Sequence, residues 1–153
     1  MALPSIFDNE VTAQFVHRIN QLTPGTQPQW GKMNVAQMLA HCCVSYEYEY
    51  EPEKYKPAPF LLKMLLRLFL KATITGEKPY KHNLGTSPDF KVAPEKDFEF
   101  EKNRLIGFIE KTCSLGAAHF ENKDSHSFGK LKAVEWNNLF YKHLDHHLRQ
   151  FGV

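Results

Sequence analysis

Three of the eight histidines lie close together near the end of the chain, at His143, His146 and His147. Successive residues of an α-helix are about 100° apart, so residues separated by four share one face. His143 and His147 are therefore expected one turn apart on the same face, whereas His146 lies about 60° to the other side of His143. Two imidazoles at this spacing can chelate one divalent metal ion.

The apolar residues of the same segment indicate where this histidine pair points. Trp136, Phe140 and Leu144 fall within about 100° of His143 on the helical wheel, so they form one apolar stripe. His147 lies in the middle of the stripe and His143 at its edge. Buried imidazoles need partners because unpartnered polar groups are costly in a core. The pair alone does not distinguish core histidines that hydrogen-bond from metal ligands, since metal sites generally need three or four protein donors.

Length and composition favour a single globular domain over residues 1–153, with 42% hydrophobic and 24% charged residues. The net charge of +2 lacks the basic footprint of a nucleic-acid-binding protein, so no nucleic-acid partner is expected. Three cysteines, of which Cys42 and Cys43 are neighbours, exclude a disulfide framework and favour a reducing, cytoplasmic location. We expect both neighbours to serve in packing. No signal peptide is recognised at the start of the sequence.

Helical periodicity predicts four long helices that are joined by proline-rich connections. The second of these begins after Asn34, which forms a capping-box pattern with Gln37. Strand patterns are almost absent, and 114–130 is interpreted as a connection. The predicted fold is therefore all-α, a four-helix bundle with short extra helices. The predicted helices cover about 8–22, 35–49, 97–113 and 132–151.

Two further segments have patterns of their own. Residues 60–71 are apolar apart from Lys63, Arg67 and Lys71, which predicts a short helix whose cations reach the solvent. The run is too short to span a bilayer, and a helix that caps the core is favoured over one that binds a membrane, so no membrane partner is expected. Residues 76–94 are rich in Gly, Pro, Asn, Asp and Ser, which predicts a long loop of the kind that tends to border functional sites.

A third metal ligand is sought on another helix, because metal sites in bundles are built from facing helices. His41 lies one and a half turns into the second predicted helix. On the helical wheel it is about 100° from the centre of the stripe that includes Val35, Leu39 and Cys42. This geometry permits His41 to face the fourth helix but does not require it.

Five motifs are spread along the chain: W-G-K-M-N at 30–34, Q-M-L-A-H at 37–41, H-S-F-G-K-L at 126–131, E-W at 135–136 and H-L-D-H-H-L-R-Q-F-G at 143–152. Together they resemble an uncharacterised branch of the DinB-like, YfiT-like metalloprotein superfamily. The resemblance spans almost the whole chain, and its final string is specific. It implies an up-down-down-up four-helix bundle that binds one divalent ion through a histidine on the second helix and an H-x3-H pair on the fourth. In this sequence those positions are His41, His143 and His147.

The resemblance also implies a choice of activities. Members of the superfamily include thiol-dependent transferases and isomerases, and others are described as metal-dependent hydrolases. The implied cofactor is one divalent transition metal, Zn, Ni or Fe, with a low-molecular-weight thiol as cosubstrate for transfer to a small-molecule electrophile. A metal with open positions can bind a thiol as thiolate or lower the pKa of bound water towards about 7.

Two alternatives stay open at this point. One is a hydrolase that uses metal-bound water, although His143 is followed by Leu144 rather than by the glutamate of an H-E-x-x-H peptidase. The other is a non-catalytic helical binding module whose histidines only form hydrogen bonds. A homodimer is compatible with either.

Four further residues are candidates around the three ligands. Gln150 is expected to point inward and to orient a ligand. Asp145 fits the same role and equally fits a solvated surface charge, and His146 is the alternative ligand. His126 precedes Ser127, where the superfamily branch usually has proline, so it fits either a residue over the site or an exposed loop histidine.

Overall fold

The computed structural model describes residues 2–82, 84–85 and 87–153. This described part of the chain contains six α-helices and one two-stranded antiparallel sheet. The mostly helical fold predicted from periodicity is confirmed, with a small hairpin added to it. The elements are α1 Asn9–Asn20, α2 Val35–Tyr50, α3 Phe60–Phe69, α4 Lys71–Thr75, α5 Phe98–Phe120, β1 Lys123–Ser125, β2 Gly129–Leu131 and α6 Ala133–Gln150.

The starts of α2 and α6 are determined by local hydrogen bonds. The side chain of Asn34 accepts the backbone N–H of Gln37 at 2.8 Å, and the Asn34 N–H donates to the Gln37 side chain at 3.1 Å. The predicted capping box is therefore confirmed. At α6, the backbone N–H of Lys132 donates to Glu135 at 2.9 Å and that of Ala133 donates to Glu121 at 2.8 Å. Both caps satisfy N–H groups that the helix leaves without a partner.

The region 114–130 contains more regular structure than predicted. Helix α5 continues to Phe120 across a kink at Gly116, whose φ of 72° is readily adopted only by a residue without a Cβ. The hairpin of β1 and β2 follows, and its turn is held by Ser125, which accepts the Phe128 N–H at 2.9 Å and donates to the Gly129 carbonyl at 2.8 Å. Strands of three residues are too short to show an alternating pattern in sequence.

Helix α2 lies at the centre of the packing, against α5 and α6, and α1 packs on α5 and α6. Helix α2 is buried on nearly every side, which explains why bulky residues occur around its whole circumference. Cys42 and Cys43 are free thiols inside this core. Burial raises the pKa of Cys42 well above its usual value and that of Cys43 to about 12, so both remain protonated, as the predicted packing role requires.

Helix α3 differs from the prediction of a helix that caps the core. None of its residues is fully buried, and only Leu66 packs partly against the core. No helix in the described ranges is long and apolar enough to cross a membrane. The loop 76–94 is irregular as predicted, apart from a short 3-10 turn at Pro88–Phe90. Asn83 and Thr86 of that loop lie outside the described residues.

Candidate metal centre

Helices α2 and α6 bring three histidines together, His41 from α2 and His143 and His147 from α6. One ring nitrogen of each lies within 4.8 Å of those of the other two. The Nε2 atoms of His41 and His143 are 3.0 Å apart, and the ring of His147 is centred 4.5 Å from that of His41 and 4.8 Å from that of His143. These three buried or partly buried histidines are close enough to hold a metal ion.

The Nδ1 atom of each histidine has a hydrogen-bonding partner. His41 Nδ1 is 2.9 Å from the backbone carbonyl oxygen of Phe90. His143 Nδ1 is 2.9 Å from the Ser45 hydroxyl, and His147 Nδ1 is 2.8 Å from the Gln150 side-chain oxygen. Partners of this kind hold an imidazole ring in one orientation.

These partners also determine which nitrogen carries the proton. The Phe90 carbonyl can only accept a hydrogen bond. The Ser45 hydroxyl donates its proton to the Cys42 carbonyl at 2.9 Å, so it accepts from His143. The Gln150 amide nitrogen donates to the Trp30 carbonyl at 2.8 Å, which leaves its oxygen as the acceptor for His147. Each neutral imidazole therefore carries its proton on Nδ1 and a lone pair on Nε2.

The lone pairs of His41 and His143 consequently face each other at 3.0 Å. Two acceptor nitrogens at this distance cannot hydrogen-bond to one another, and their partial negative charges repel. A cation that accepts both lone pairs would remove this repulsion. Neutral imidazole nitrogens are common ligands of divalent transition metals, so the donor set of this cluster fits such an ion.

Burial keeps the three histidines uncharged. Desolvation lowers the pKa of His41 and lowers that of His143 well below its usual value, and for His143 the neighbouring imidazoles add to the effect. Desolvation, helped by the proximity of His41, lowers the pKa of His147 to about 3. Metal ligands must be deprotonated, and these shifts leave all three in that state at neutral pH.

The cluster opens into a cavity of about 540 Å³, a size that suits a small molecule. Its walls are mostly apolar and come from the segment 30–33, the helices α2, α3, α4 and α6, the loop 76–94 and the hairpin. Lys32 and Lys91 also line it, whereas no Asp or Glu does so among the described residues. The apolar side chains in the wall include Trp30, Met33, Leu66, Leu70, Ile74, Phe90, Val92, Trp136 and Leu139.

The remaining predicted residues of α6 occupy different positions around this site. Gln150 is buried and hydrogen-bonds to His147, as described above. Asp145 instead forms ion pairs with Arg18 at 2.9 Å and Arg149 at 3.0 Å. His146 lines the cavity with its ring 5.9 Å from that of Trp30, and it is outside the group of three histidines.

His126 lies at the turn of the hairpin and lines the same cavity. Its ring stacks on that of Tyr48 at 4.0 Å, and the Tyr48 hydroxyl donates to Asp89 at 2.8 Å. Partial burial lowers the pKa of His126, an effect to which the positive charge of Lys63 adds. The hairpin thus brings His126 to the cavity wall without placing it among the three clustered histidines.

Three groups that support the site were not predicted from the sequence: the Ser45 hydroxyl, Gly31 and the Phe90 carbonyl. Ser45 has a signal in the sequence, because it follows His41 by four residues and so shares its helical face. Gly31 has another: its φ is 83°, and a Cβ there would lie 2.5 Å from the Gln150 amide nitrogen. A glycine at this position lets the backbone approach Gln150 closely. The role of the Phe90 carbonyl has no signal in the sequence, since every residue has a backbone carbonyl.

Fold and site together define a mostly helical protein with a three-histidine cluster in an apolar cavity. The chain belongs to a family that is described as a protein of unknown function, DUF1569, whose model matches residues 7–152. The matched range includes all three histidines and every element of secondary structure. Comparisons with curated proteins and with solved structures gave no significant match.

Proposed function

We propose that the protein is a metal-dependent enzyme of the DinB-like superfamily, with one divalent transition metal held by His41, His143 and His147. The observation that carries the proposal is the 3.0 Å approach of two Nε2 lone pairs, from His41 and His143. Imidazole ligands suit Zn, Ni and Fe alike. The location that we propose is cytoplasmic, and the substrate is a small molecule.

The proposed topology is an up-down-down-up bundle of the four long helices α1, α2, α5 and α6. Two sets of contacts support it: α2 with α5 and α6, and α1 with the same two helices. In such bundles, metal sites are built from side chains on facing helices. The position of His41 on α2, opposite two histidines on α6, follows this pattern.

A bound metal with open positions would supply Lewis acidity, which favours the thiolate form of a thiol or the hydroxide form of water. The chain itself orients the ligands through Ser45, Gln150 and the Phe90 carbonyl. The apolar cavity walls would hold the substrate and limit the access of water, which strengthens electrostatic interactions inside the site.

The hydroxyl and thiol groups of α2 that lie nearest the cluster are not arranged as nucleophiles. Ser45 donates its proton to a backbone carbonyl and accepts one from His143, the reverse of the arrangement that activates a serine. Cys42 and Cys43 are buried thiols whose pKa values are raised. We therefore propose that the nucleophile enters the cavity as a small thiol and is transferred to a small electrophile.

Metal analysis of protein purified without a histidine tag tests the site. We expect about one divalent ion per chain, and each of His41→Ala, His143→Ala and His147→Ala should abolish binding. His146→Ala is the matched control, because it removes an imidazole from the same helix and cavity, and it should retain the metal. A metal-free His146→Ala together with a fully loaded His143→Ala would overturn the assignment.

Cobalt substitution tests the chemistry. Adding small thiols to the cobalt-loaded protein should produce a sulfur-to-metal charge-transfer band that is absent in His143→Ala. If no physiological thiol gives the band and the protein hydrolyses esters or amides without thiol, the protein is a metal-dependent hydrolase. If neither occurs in metal-loaded protein, the protein is a non-catalytic module.

A further inference from the structure

Helix α3 exposes an unusual amount of apolar surface. Seven of the eleven large hydrophobic side chains that are exposed in the described residues belong to this one helix. Phe60 at its start is 85% exposed and Phe69 at its end is 78% exposed. Soluble monomers rarely expose a large contiguous apolar patch without a partner for it. The seven are Phe60, Leu61, Leu62, Met64, Leu65, Leu68 and Phe69.

The side chains of α3 form an inner face, an outer face and a border between the two. Leu66 of α3, and Leu70 directly after the helix, point to the body of the protein, where they line the cavity. On a helical wheel the apolar outer face covers about 180°, from Phe60 to Phe69. Lys63 and Arg67 lie together on the edge between these two faces, within about 60° of Phe60. The outer face is therefore apolar and has a cationic border along one side.

Positive charge is concentrated in the same part of the chain. Five of the 19 lysines and arginines lie in residues 54–76, where no Asp or Glu occurs, so this segment carries +5 and the rest of the chain −3. Lys54 pairs with Glu51, and Lys71 pairs with Glu135 at 2.8 Å. The other three, Lys56, Lys63 and Arg67, have no ion pair with any carboxylate of the described residues.

An apolar helical face with unpaired cations beside it complements an anionic bilayer surface. The apolar side chains enter the boundary between headgroups and acyl chains, and the cations approach the phosphates. A second copy of this chain would instead bring a second set of these three unpaired cations to the same place, which is unfavourable. A helix of ten residues is too short to span the bilayer, so it would lie in the plane of the surface.

We propose that α3 docks the protein onto the surface of an anionic membrane. The opposite side of the helix lines the cavity, so one helix diameter, about 10 Å, would separate the lipid surface from the cavity. Molecules that partition into lipid are apolar, as the cavity walls are. This docking depends on α3 alone and not on the metal.

Sedimentation with lipid vesicles tests the proposal on the full chain. We expect binding to phosphatidylcholine vesicles that contain phosphatidylserine, little binding to pure phosphatidylcholine, and a loss of binding as salt is raised. Phe69→Glu should weaken binding about tenfold or more, because it places a charge in the docking face. Arg67→Gln should weaken it about fivefold, as expected for one basic residue near the surface.

Matched controls come from other helices and the hairpin. Phe100→Glu changes an exposed phenylalanine of α5, and Lys130→Gln removes an exposed cation of β2; both should bind vesicles as the wild type does. Circular dichroism and metal content should be unchanged in all four variants, which separates this test from that of the proposed function. Absence of binding to anionic vesicles, or equal losses in Phe100→Glu and Phe69→Glu, would overturn the proposal. A dimer detected by light scattering that Phe69→Glu dissociates, without vesicle binding, would assign the face to a second copy instead.

Discussion

The hydroxyl of Ser45 provides the sharpest test of how the site is built. It accepts the Nδ1 proton of His143 at 2.9 Å while it donates its own proton to the Cys42 carbonyl at 2.9 Å. Ser45→Ala removes this acceptor and changes the volume of a buried residue by a single oxygen atom. His143 then loses the bond that directs its Nε2 lone pair towards His41.

The size of the effect follows from two independent considerations. A buried N–H left without an acceptor costs about 1–3 kcal/mol. Removing the outer partner of a ligating histidine lowers metal affinity by about 10–100-fold, which corresponds to about 1.4–2.8 kcal/mol. The two ranges overlap, so we expect Ser45→Ala to bind metal about 10–100-fold more weakly with its three histidines intact.

Competition with a metal-binding dye measures this change, and thermal unfolding of the metal-free protein shows whether the fold is retained. Thr12→Ala is the matched control, because Thr12 is also buried and its hydroxyl donates to the Ile6 carbonyl at 3.1 Å. It should lower the free energy of unfolding by about 1 kcal/mol and leave metal affinity unchanged. A Ser45→Ala variant that binds metal as tightly as the wild type, with Thr12→Ala also unchanged in metal affinity, would refute this role of Ser45.

Four more predictions concern the surroundings of the cluster. Gln150→Met removes the acceptor of His147 and the donor to the Trp30 carbonyl, so a dye competition should show metal affinity reduced about 10–100-fold; affinity equal to that of the wild type would contradict it. Gly31→Ala places a Cβ at a φ of 83° and 2.5 Å from the Gln150 amide nitrogen, so it should weaken metal binding in the same assay, whereas Gly25→Ala, whose Cβ meets nothing within 4 Å, should not. Asp145→Asn breaks partly exposed ion pairs with Arg18 and Arg149, so chemical denaturation should show a loss of at most about 1 kcal/mol with metal affinity retained; a large loss of affinity would give Asp145 a role at the site. Cys42 and Cys43 are buried in the folded protein and Cys113 is partly exposed, so a thiol reagent should modify at most Cys113 before denaturation and all three afterwards, and rapid native labelling of Cys42 would count against the core position.

The local features of this protein were predictable because they depend on spacing along the chain. Apolar periodicity predicted α1, α2 and α6 to within about two residues at most ends. The Asn34 and Gln37 capping box was confirmed, since it involves only residues three positions apart. Helical spacing also predicted that His143 and His147 share one inward face of α6, because the helical repeat determines which side chains lie on the same face.

The exposure of a helix depends on what packs against it. The apolar pattern of residues 60–71 predicted a helix that caps the core, and the helix exists with most of its apolar residues exposed. Nothing in the pattern shows that the core is already closed by other helices. The hairpin was missed for a related reason: its strands pair across a turn, and each is too short to show periodicity.

The position of His41 was decided only by tertiary structure. Helix α2 is buried on nearly every side, so its sequence has no single apolar stripe from which the direction of His41 can be read. The Nε2 of His41 approaches that of His143, which is 102 positions away in the sequence. Its Nδ1 hydrogen-bonds to the carbonyl of Phe90, which is 49 positions away. Helical spacing determines the direction of a side chain relative to its own helix. Only the packing of α2, α6 and the loop 76–94 brings the three imidazole nitrogens to one point.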